Sequence, residues 1–166
     1  VGSLSGLLEL PTLRVLVLEE LAAADAEPRP HDLKPEDLAV LMLTSGSTGA
    51  PKGVMLSHSN VLHRSVASRQ LNGFSAEDVT LNWMPLDHVA GILYFHLRDV
   101  FLANRQIHCP TERILEDPLR WIDLLAEHRV TVTFAPNFAF GLVNDQAIRI
   151  AEKGWDLSSV RFILNG

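Results

Sequence analysis

Ten consecutive residues, from Thr44 to Gly53, combine four hydroxyl side chains, three glycines and one lysine. Glycine permits backbone conformations with positive φ and lets amide N–H groups approach an anion closely. Successive amides of this kind form a concave anion site, to which the hydroxyls and Lys52 add hydrogen bonds and positive charge. The segment therefore predicts a binding loop for a phosphate-rich ligand such as a nucleoside triphosphate.

Two other interpretations of this loop are weaker. An ordinary Gly/Ser turn accounts for the glycines, but it has no use for a lysine and four hydroxyls. A Walker A loop needs Gly-Lys-Ser/Thr at the start of a helix. Here Pro51 precedes Lys52, Gly53 follows it, and a strand-like run comes next. The sequence is therefore not a Walker A motif.

The elements that must position this loop alternate between extended and helical patterns. Apolar or β-branched runs predict strands, at residues 13–18, 38–44, 54–56, 79–84, 107–109, 130–134 and 160–164. Caps, helix breakers and apolar spacing predict helices, from Ser57 or Ser59 to about 71, over about 89–103, from 117–118 onward, and from 136 to about 153. This alternation predicts an α/β layered fold with a substantially parallel sheet.

The organisation along the chain has two parts. Residues 1–37 read as an N-terminal strand followed by a Pro-rich connection, and residues 38–166 read as the core that carries the loop. The chain begins at Val1 rather than Met and stops at Gly166 directly after an apolar run. We therefore expect both ends to be cut from a longer protein.

Composition excludes several classes of function. A net charge of -6 without a basic face argues against a nucleic-acid partner. No uninterrupted apolar run approaches the roughly 20 residues that span a bilayer, and the N-terminus lacks the features of a signal peptide. Cys109 is the single cysteine, so no intrachain disulfide can form, and we interpret it as structural. These features predict a cytoplasmic protein without a membrane span.

Three groups of residues resemble the adenylate-forming (AMP-binding) superfamily. Residues 43–53 look like its phosphate-binding signature, shared by acyl-CoA synthetases, luciferases and the adenylation domains of nonribosomal peptide synthetases. Residues 84–91, Met-Pro-Leu-Asp-His-Val-Ala-Gly, resemble the segment that carries a histidine beside the acyl carboxylate. Residues 155–159 and 164–166 resemble the approach to the adenine-contacting loop.

The resemblance is most specific to one branch of this superfamily. Residues 117–121, Asp-Pro-Leu-Arg-Trp, and residues 135–140, Ala-Pro-Asn-Phe-Ala-Phe, are similar to fatty acyl-AMP ligases and related loading domains of polyketide and peptide synthases. The resemblance implies a fragment of the large N-terminal α/β/α domain of such an enzyme. It covers the chain from about residue 38, and the first 37 residues match only loosely.

The resemblance also implies roles for individual residues. The expected contacts of ATP are Thr44, Ser45, Gly46, Ser47, Thr48, Gly49, Lys52 and Gly53 at the phosphates, with Asn165 and Gly166 bordering the adenine. Lys52 and His88 are the expected catalytic residues. The expected acyl pocket consists of His88, Asn137, Phe138 and Gly141, whereas Phe140 is interpreted as core. His88 is expected to lie near the carboxylate and the α-phosphate and to orient rather than transfer a proton, because a carboxylate is already ionised at neutral pH. Mg²⁺ is expected with ATP, but its acidic ligand is expected beyond Gly166, so the chain is expected to hold no metal ligand.

The implied reaction is the activation of a carboxylic acid as an acyl adenylate, followed by transfer to the thiol of a carrier protein or of CoA. Amino-acid-activating relatives carry an aspartate that pairs with the substrate amine, but Val89 follows His88 here. This favours a fatty acid or another acid without the amine. A two-residue shift in alignment would make Asp87 that partner, so an amino acid stays open, as does an aryl acid.

A non-catalytic nucleotide-binding module is the further alternative. The isolated fragment is expected to be inactive, because the ribose aspartate and catalytic lysine are expected beyond Gly166.

Overall fold

The computed structural model describes residues 32–44 and 52–166, and residues 34–166 form one unit. The strands in these ranges are β1 (Leu38–Thr44), β2 (Lys52–Ser57), β3 (Val79–Asn82), β4 (Arg105–His108), β5 (Val132–Ala135) and β6 (Phe162–Asn165). The helices are α1 (His58–Asn72), the π-helix α2 (Ala90–Leu97), α3 (Arg98–Leu102), α4 (Thr111–Glu116), α5 (Leu119–Glu127), α6 (Asn137–Asn144) and α7 (Ala147–Ala151). The predicted strand at 13–18 lies outside the described residues.

The main sheet is parallel throughout, in the order β4-β3-β5-β6. Each connection between its strands contains helices, as parallel strands require a crossover. The carboxyl ends of all four strands meet at one edge, since Asn82 pairs with His108 and Ala135 pairs with Asn165. The predicted α/β fold with a parallel sheet is confirmed, and this edge is where its loops converge.

The four residues of β5 are all buried because helices cover both faces of the sheet. Side chains alternate between the faces of a strand. Val132 and Phe134 accordingly pack with Phe74 and Phe95 on one face. Ala135 belongs to the cluster on the other face, which contains Leu81, Trp83, Trp121 and Leu125. The result is a helix–sheet–helix layering.

Helix α1 begins at the first of its two predicted caps. The Ser57 side chain accepts a hydrogen bond from the Asn60 backbone N–H at 3.2 Å, and the Asn60 side chain accepts one from the Ser57 N–H at 3.0 Å. This reciprocal capping box satisfies two N–H groups that the helix leaves unpaired. Gly73 ends the helix with φ of 64°, a left-handed conformation that glycine adopts without strain.

Several elements differ from the sequence predictions. Strand β3 ends at Asn82 rather than residue 84, because the Asn82 side chain bonds both the N–H and the carbonyl of Met84, at 3.0 Å each, and turns the chain. The predicted helix over 136–153 is interrupted between α6 and α7, where the Gln146 N–H bonds the Val143 carbonyl at 2.9 Å. Helix α4 was not predicted, since its six residues are too few to show periodicity.

A charged pair is buried beneath the sheet where α2 meets α3. Arg98 and Asp99 are 3% and 1% exposed, and the Arg98 Nε donates to Asp99 Oδ1 at 2.7 Å. The Thr80 hydroxyl of β3 donates to the other carboxylate oxygen. Burial raises the pKa of Asp99, although the charge of Arg98 acts in the opposite direction. The pair links α3 to the centre of the sheet.

Candidate functional site

The strands β1 and β2 form an antiparallel hairpin that holds the ends of the predicted phosphate loop together. Thr44 pairs directly with Lys52, so the hairpin closes where the loop begins and ends. Lys52 is exposed, and a Cβ on Gly53 would lie 3.2 Å from Leu41 Cδ1, so glycine suits this close approach. Residues 45–51, which include Ser45, Gly46, Ser47, Thr48 and Gly49, lie outside the described residues. Their contact with ATP remains a prediction.

His88 lies on the loop that joins β3 to α2, and hydrogen bonds fix it on both sides. Its backbone N–H donates to the Pro85 carbonyl at 3.1 Å, and its carbonyl accepts from the Ile92 N–H at 3.0 Å. The Ala90 N–H donates to His88 Nδ1 at 3.2 Å. Because a backbone N–H only donates, Nδ1 is the acceptor nitrogen, and the proton of the neutral ring is on Nε2. His88 is thus prepared to donate from Nε2 to an anionic oxygen.

Gly91 keeps this loop folded against the start of α2. A Cβ at this position would collide with the Pro85 carbonyl oxygen and would lie 2.9 Å from the Met84 carbonyl oxygen. Both obstacles are backbone atoms, which cannot swing aside as a flexible side chain does. The glycine that ends the predicted segment 84–91 is therefore required by packing beside His88.

A cleft of about 540 Å³ separates the hairpin from the loop of His88. The hairpin contributes apolar side chains, including Met42 and Leu56. The opposite wall contains Asp87, His88 and Val89, and the side chains of Arg64 and Tyr94 complete the lining. The fold therefore brings the hairpin of the predicted phosphate loop and the predicted acyl-side histidine to opposite sides of one cleft.

Two predicted residues meet at the carboxyl ends of β5 and β6. Asn165 Nδ2 donates to Asn137 Oδ1 at 2.7 Å, and both side chains are exposed. Asn137, expected to line the acyl pocket, is therefore in direct contact with Asn165, expected to border the adenine. Gly166 follows at the same edge, where a Cβ would lie 3.7 Å from Phe134.

The remaining predicted pocket residues lie on α6. Phe138 is 55% exposed and its ring meets the edge of Trp83, with 6.5 Å between ring centroids. A Cβ on Gly141 would meet no atom within 4 Å, so this face of the helix is open. Phe140 instead packs on Trp121 with a centroid distance of 5.7 Å. It is part of the core, as the sequence predicts.

A second cleft, of about 350 Å³, lies beside Asn165 and Gly166. It shares two lining residues with the first cleft, Arg64 of α1 and Tyr94 of α2. The Arg64 guanidinium carbon lies 3.8 Å above the centre of the Tyr94 ring. Sequence analysis missed both residues, because neither belongs to a motif and they are thirty positions apart in the chain.

Within residues 32–44 and 52–166, no group of three or more His, Cys, Asp or Glu side chains is arranged to hold a metal ion. Cys109 is half-buried with a free thiol, and burial raises its pKa. Among the helices of the described part of the chain, none combines the length and apolar character that a membrane crossing requires.

Several known proteins are similar to this chain. Aspulvinone E synthetase melA of Aspergillus terreus is 36% identical over 151 residues, which cover 89% of this chain and 16% of the relative. The structure of McyG A-PCP complexed with phenylalanyl-adenylate has 43% identity and a TM-score of 0.88, covering 94% of this chain and 25% of that one. This chain therefore spans only a small part of the proteins it resembles.

Two further solved structures represent two kinds of adenylate-forming enzyme. The adenylation domain of a keto acid-selecting nonribosomal peptide synthetase module, bound to keto acyl adenylate, is 39% identical with a TM-score of 0.87, covering 98% of this chain and 29% of that one. The fatty acyl-adenylate ligase from L. pneumophila is 30% identical with a TM-score of 0.77, covering 83% and 24%.

The sequence matches the family described as AMP-binding enzyme over residues 6–166, nearly the whole chain. Its parallel sheet, the hairpin that flanks the predicted phosphate loop and the histidine across the cleft agree with that match. The chain belongs to the AMP-binding family of adenylate-forming enzymes.

Proposed function

We propose that the chain is part of an adenylation domain that activates a carboxylic acid without an α-amino group, with an α-keto acid as the first candidate. A carboxylate oxygen attacks the α-phosphorus of ATP, the bond to the β-phosphate oxygen breaks, and pyrophosphate leaves. A carrier protein's phosphopantetheine thiol then displaces AMP from the acyl carbon, losing its proton as the thioester forms. We place this chemistry in the cytoplasm.

The observation that carries the proposal is the cleft between the hairpin and His88. ATP requires a cradle for its terminal phosphates, and the two strands that flank the predicted glycine- and hydroxyl-rich loop line this cleft. His88 donates from Nε2 to an oxygen of the carboxylate or of the α-phosphate. It acts by orientation and charge stabilisation, which contribute most when both reactants are held together. Mg²⁺ bound together with ATP would neutralise charge on its phosphates.

The choice of an α-keto acid is supported by Val89 and by one solved structure. Val89 lines the cleft directly after His88 and offers no charge to a substrate amine. The keto acid-selecting domain has greater identity and a higher TM-score than the fatty acyl-adenylate ligase. A fatty acid is accordingly less well supported than a keto acid. The carrier protein as acceptor is supported by the A-PCP structure.

Amino-acid activation is the second candidate, and Asp87 is the observation that favours it. This exposed carboxylate lines the same cleft as His88, and it forms no hydrogen bond or ion pair with a described residue. A substrate ammonium placed there would find a counter-charge. The phenylalanyl-adenylate in the McyG A-PCP structure shows that such a ligand occurs in a similar protein.

Carboxylate-dependent exchange of pyrophosphate into ATP by the full-length parent tests the proposal. The acids should share one skeleton and differ only at Cα: phenylpyruvate, 3-phenylpropanoate and L-phenylalanine, with octanoate for the fatty-acid alternative. We expect phenylpyruvate to give at least roughly tenfold more exchange than phenylalanine, because a buried amine without a counter-charge is costly. Preference for phenylalanine that disappears in Asp87→Asn would establish the second candidate. No exchange across a broad panel of acids would favour a non-catalytic module.

A further inference from the structure

The side chains of Arg64 and Tyr94 stand where the two clefts adjoin. Both line the cleft that contains His88, and both line the cleft beside Asn165 and Gly166. The ring of Tyr94 supports one face of the Arg64 guanidinium at 3.8 Å. An arginine stacked in this way is held in position while its N–H edge stays available, because stacking uses the face of the group.

No anionic side chain in the described part of the chain binds the Arg64 guanidinium. Its guanidinium makes neither a hydrogen bond nor an ion pair with any residue in 32–44 and 52–166, although Asp87 lines one of the same clefts. Arg98, which lines the second cleft, differs because Asp99 neutralises it at 2.7 Å. A solvent-accessible arginine that is oriented by an aromatic ring between two cavities is suited to an anionic ligand.

The position of Arg64 matches the point where the two reactants must meet. The first cleft contains His88, and the second opens at the carboxyl ends of β5 and β6, where open α/β sheets bind their ligands. An acid in one cleft and a nucleotide in the other place the carboxylate and the α-phosphate near the boundary. Both groups are anionic, so their approach requires a cation there.

We propose that Arg64 binds the α-phosphate of the nucleotide and that Tyr94 holds it in place for this contact. This inference rests on the proposed function. The guanidinium donates two parallel hydrogen bonds to phosphate oxygens, which a lysine in the same place would not reproduce. It relieves the repulsion between the phosphate and the incoming carboxylate.

Equilibrium binding of AMP and adenosine to the full-length parent separates phosphate recognition from nucleoside recognition. Arg64→Ala should weaken AMP binding roughly tenfold or more, as expected for a charge-assisted hydrogen bond, and leave adenosine binding unchanged. Arg69→Ala, on the same helix and also exposed, is the matched control and should change neither. Arg64→Lys should bind AMP with intermediate affinity, and it keeps the inference testable if the alanine variant unfolds.

Four results would overturn the inference. AMP and adenosine affinities that fall together would show that Arg64 supports the nucleoside pocket or the fold. AMP affinity that stays constant in both Arg64 variants would show that the phosphate lies elsewhere. A parent that binds no AMP and exchanges no pyrophosphate would refute the proposed function as well, whereas normal exchange in Arg64→Ala would refute this inference alone.

Discussion

Asn165 donates a hydrogen bond from Nδ2 to Asn137 Oδ1 at 2.7 Å, which ties the carboxyl end of β6 to the start of α6. The register that pairs Ala135 with Asn165 places the two side chains side by side. One bond between two amides leaves the Asn137 NH₂ group and the Asn165 carbonyl with unused capacity. The pair is therefore suited to bind a polar group of the substrate while remaining ordered itself.

Asn137→Ala should raise the KM for the acid several-fold in pyrophosphate exchange, because it removes one donor from the pocket without touching the core. The KM for ATP should change little. Asn144→Ala, at the exposed other end of the same helix, is the matched control. A rise in the KM for ATP alone would instead assign Asn137 to the nucleotide side of the site.

Replacement of His88 tests its role as a hydrogen-bond donor. His88→Ala should lower kcat/KM roughly ten- to a hundred-fold, since a hydrogen bond to a charged group contributes about 1.5–3 kcal/mol. His88→Gln keeps an N–H donor and should recover part of the loss. His63→Ala, an exposed histidine of α1, should have no effect. Equal losses in the alanine and glutamine variants would contradict the donor role.

Gly91→Ala should impair the enzyme through the loop rather than through any direct contact with substrate. The new Cβ collides with backbone atoms of Met84 and Pro85, so the loop that carries His88 must shift. We expect kcat/KM to fall by at least tenfold, as small misplacements at reacting centres are costly. Gly154→Ala, where a Cβ meets no atom within 4 Å, is the control for added bulk. Wild-type activity in Gly91→Ala would show that the loop tolerates this shift.

Local signals predicted much of this structure. The alternation of apolar runs and caps predicted the parallel sheet and the start of α1, because capping boxes and buried strands depend on neighbouring residues. The pairing of Arg64 with Tyr94 could not be predicted in this way, since it depends on how α1 packs against α2. The π-helical form of α2 could not be predicted either, because a mostly apolar segment has no periodicity that distinguishes an α-helix from a π-helix.

The acid stability of the fold should depend on Asp123 of α5. Partial burial acts to raise its pKa, but hydrogen bonds from Lys153 and Trp155, at 2.9 and 2.8 Å, outweigh it and leave the pKa below the ordinary value of 3.8. The carboxylate therefore stabilises the fold above that value, and the contribution disappears as pH falls through the lowered pKa. Thermal unfolding between pH 3 and 7 measures the effect.

Asp123→Asn should destabilise the fold at pH 7 by less than about 1 kcal/mol, which is seen as a lower Tm. It should also make the Tm depend less on pH below the ordinary pKa of an aspartate. Asp145→Asn is the control, because no side-chain partner of this exposed aspartate is found among the described residues. If the Tm of Asp123→Asn changes with pH in parallel with that of the wild type from pH 3 to 7, Asp123 is not the group that sets the acid stability.

The buried Arg98–Asp99 pair should be the most sensitive polar contact in the fold. Asp99→Asn keeps the shape but leaves the guanidinium, 3% exposed, without its counter-charge, which typically costs about 3–5 kcal/mol. Thr80→Val removes only the hydroxyl that donates to the carboxylate and should cost less.

Arg98→Met combined with Asp99→Asn removes the unpaired charge, so it should recover part of the stability lost in Asp99→Asn. Urea unfolding of the full-length parent compares the three variants. If the double variant is less stable than Asp99→Asn alone, the guanidinium contributes through its packing on Phe74 and Phe95, 4.7 and 4.8 Å from their ring centres, rather than through its charge.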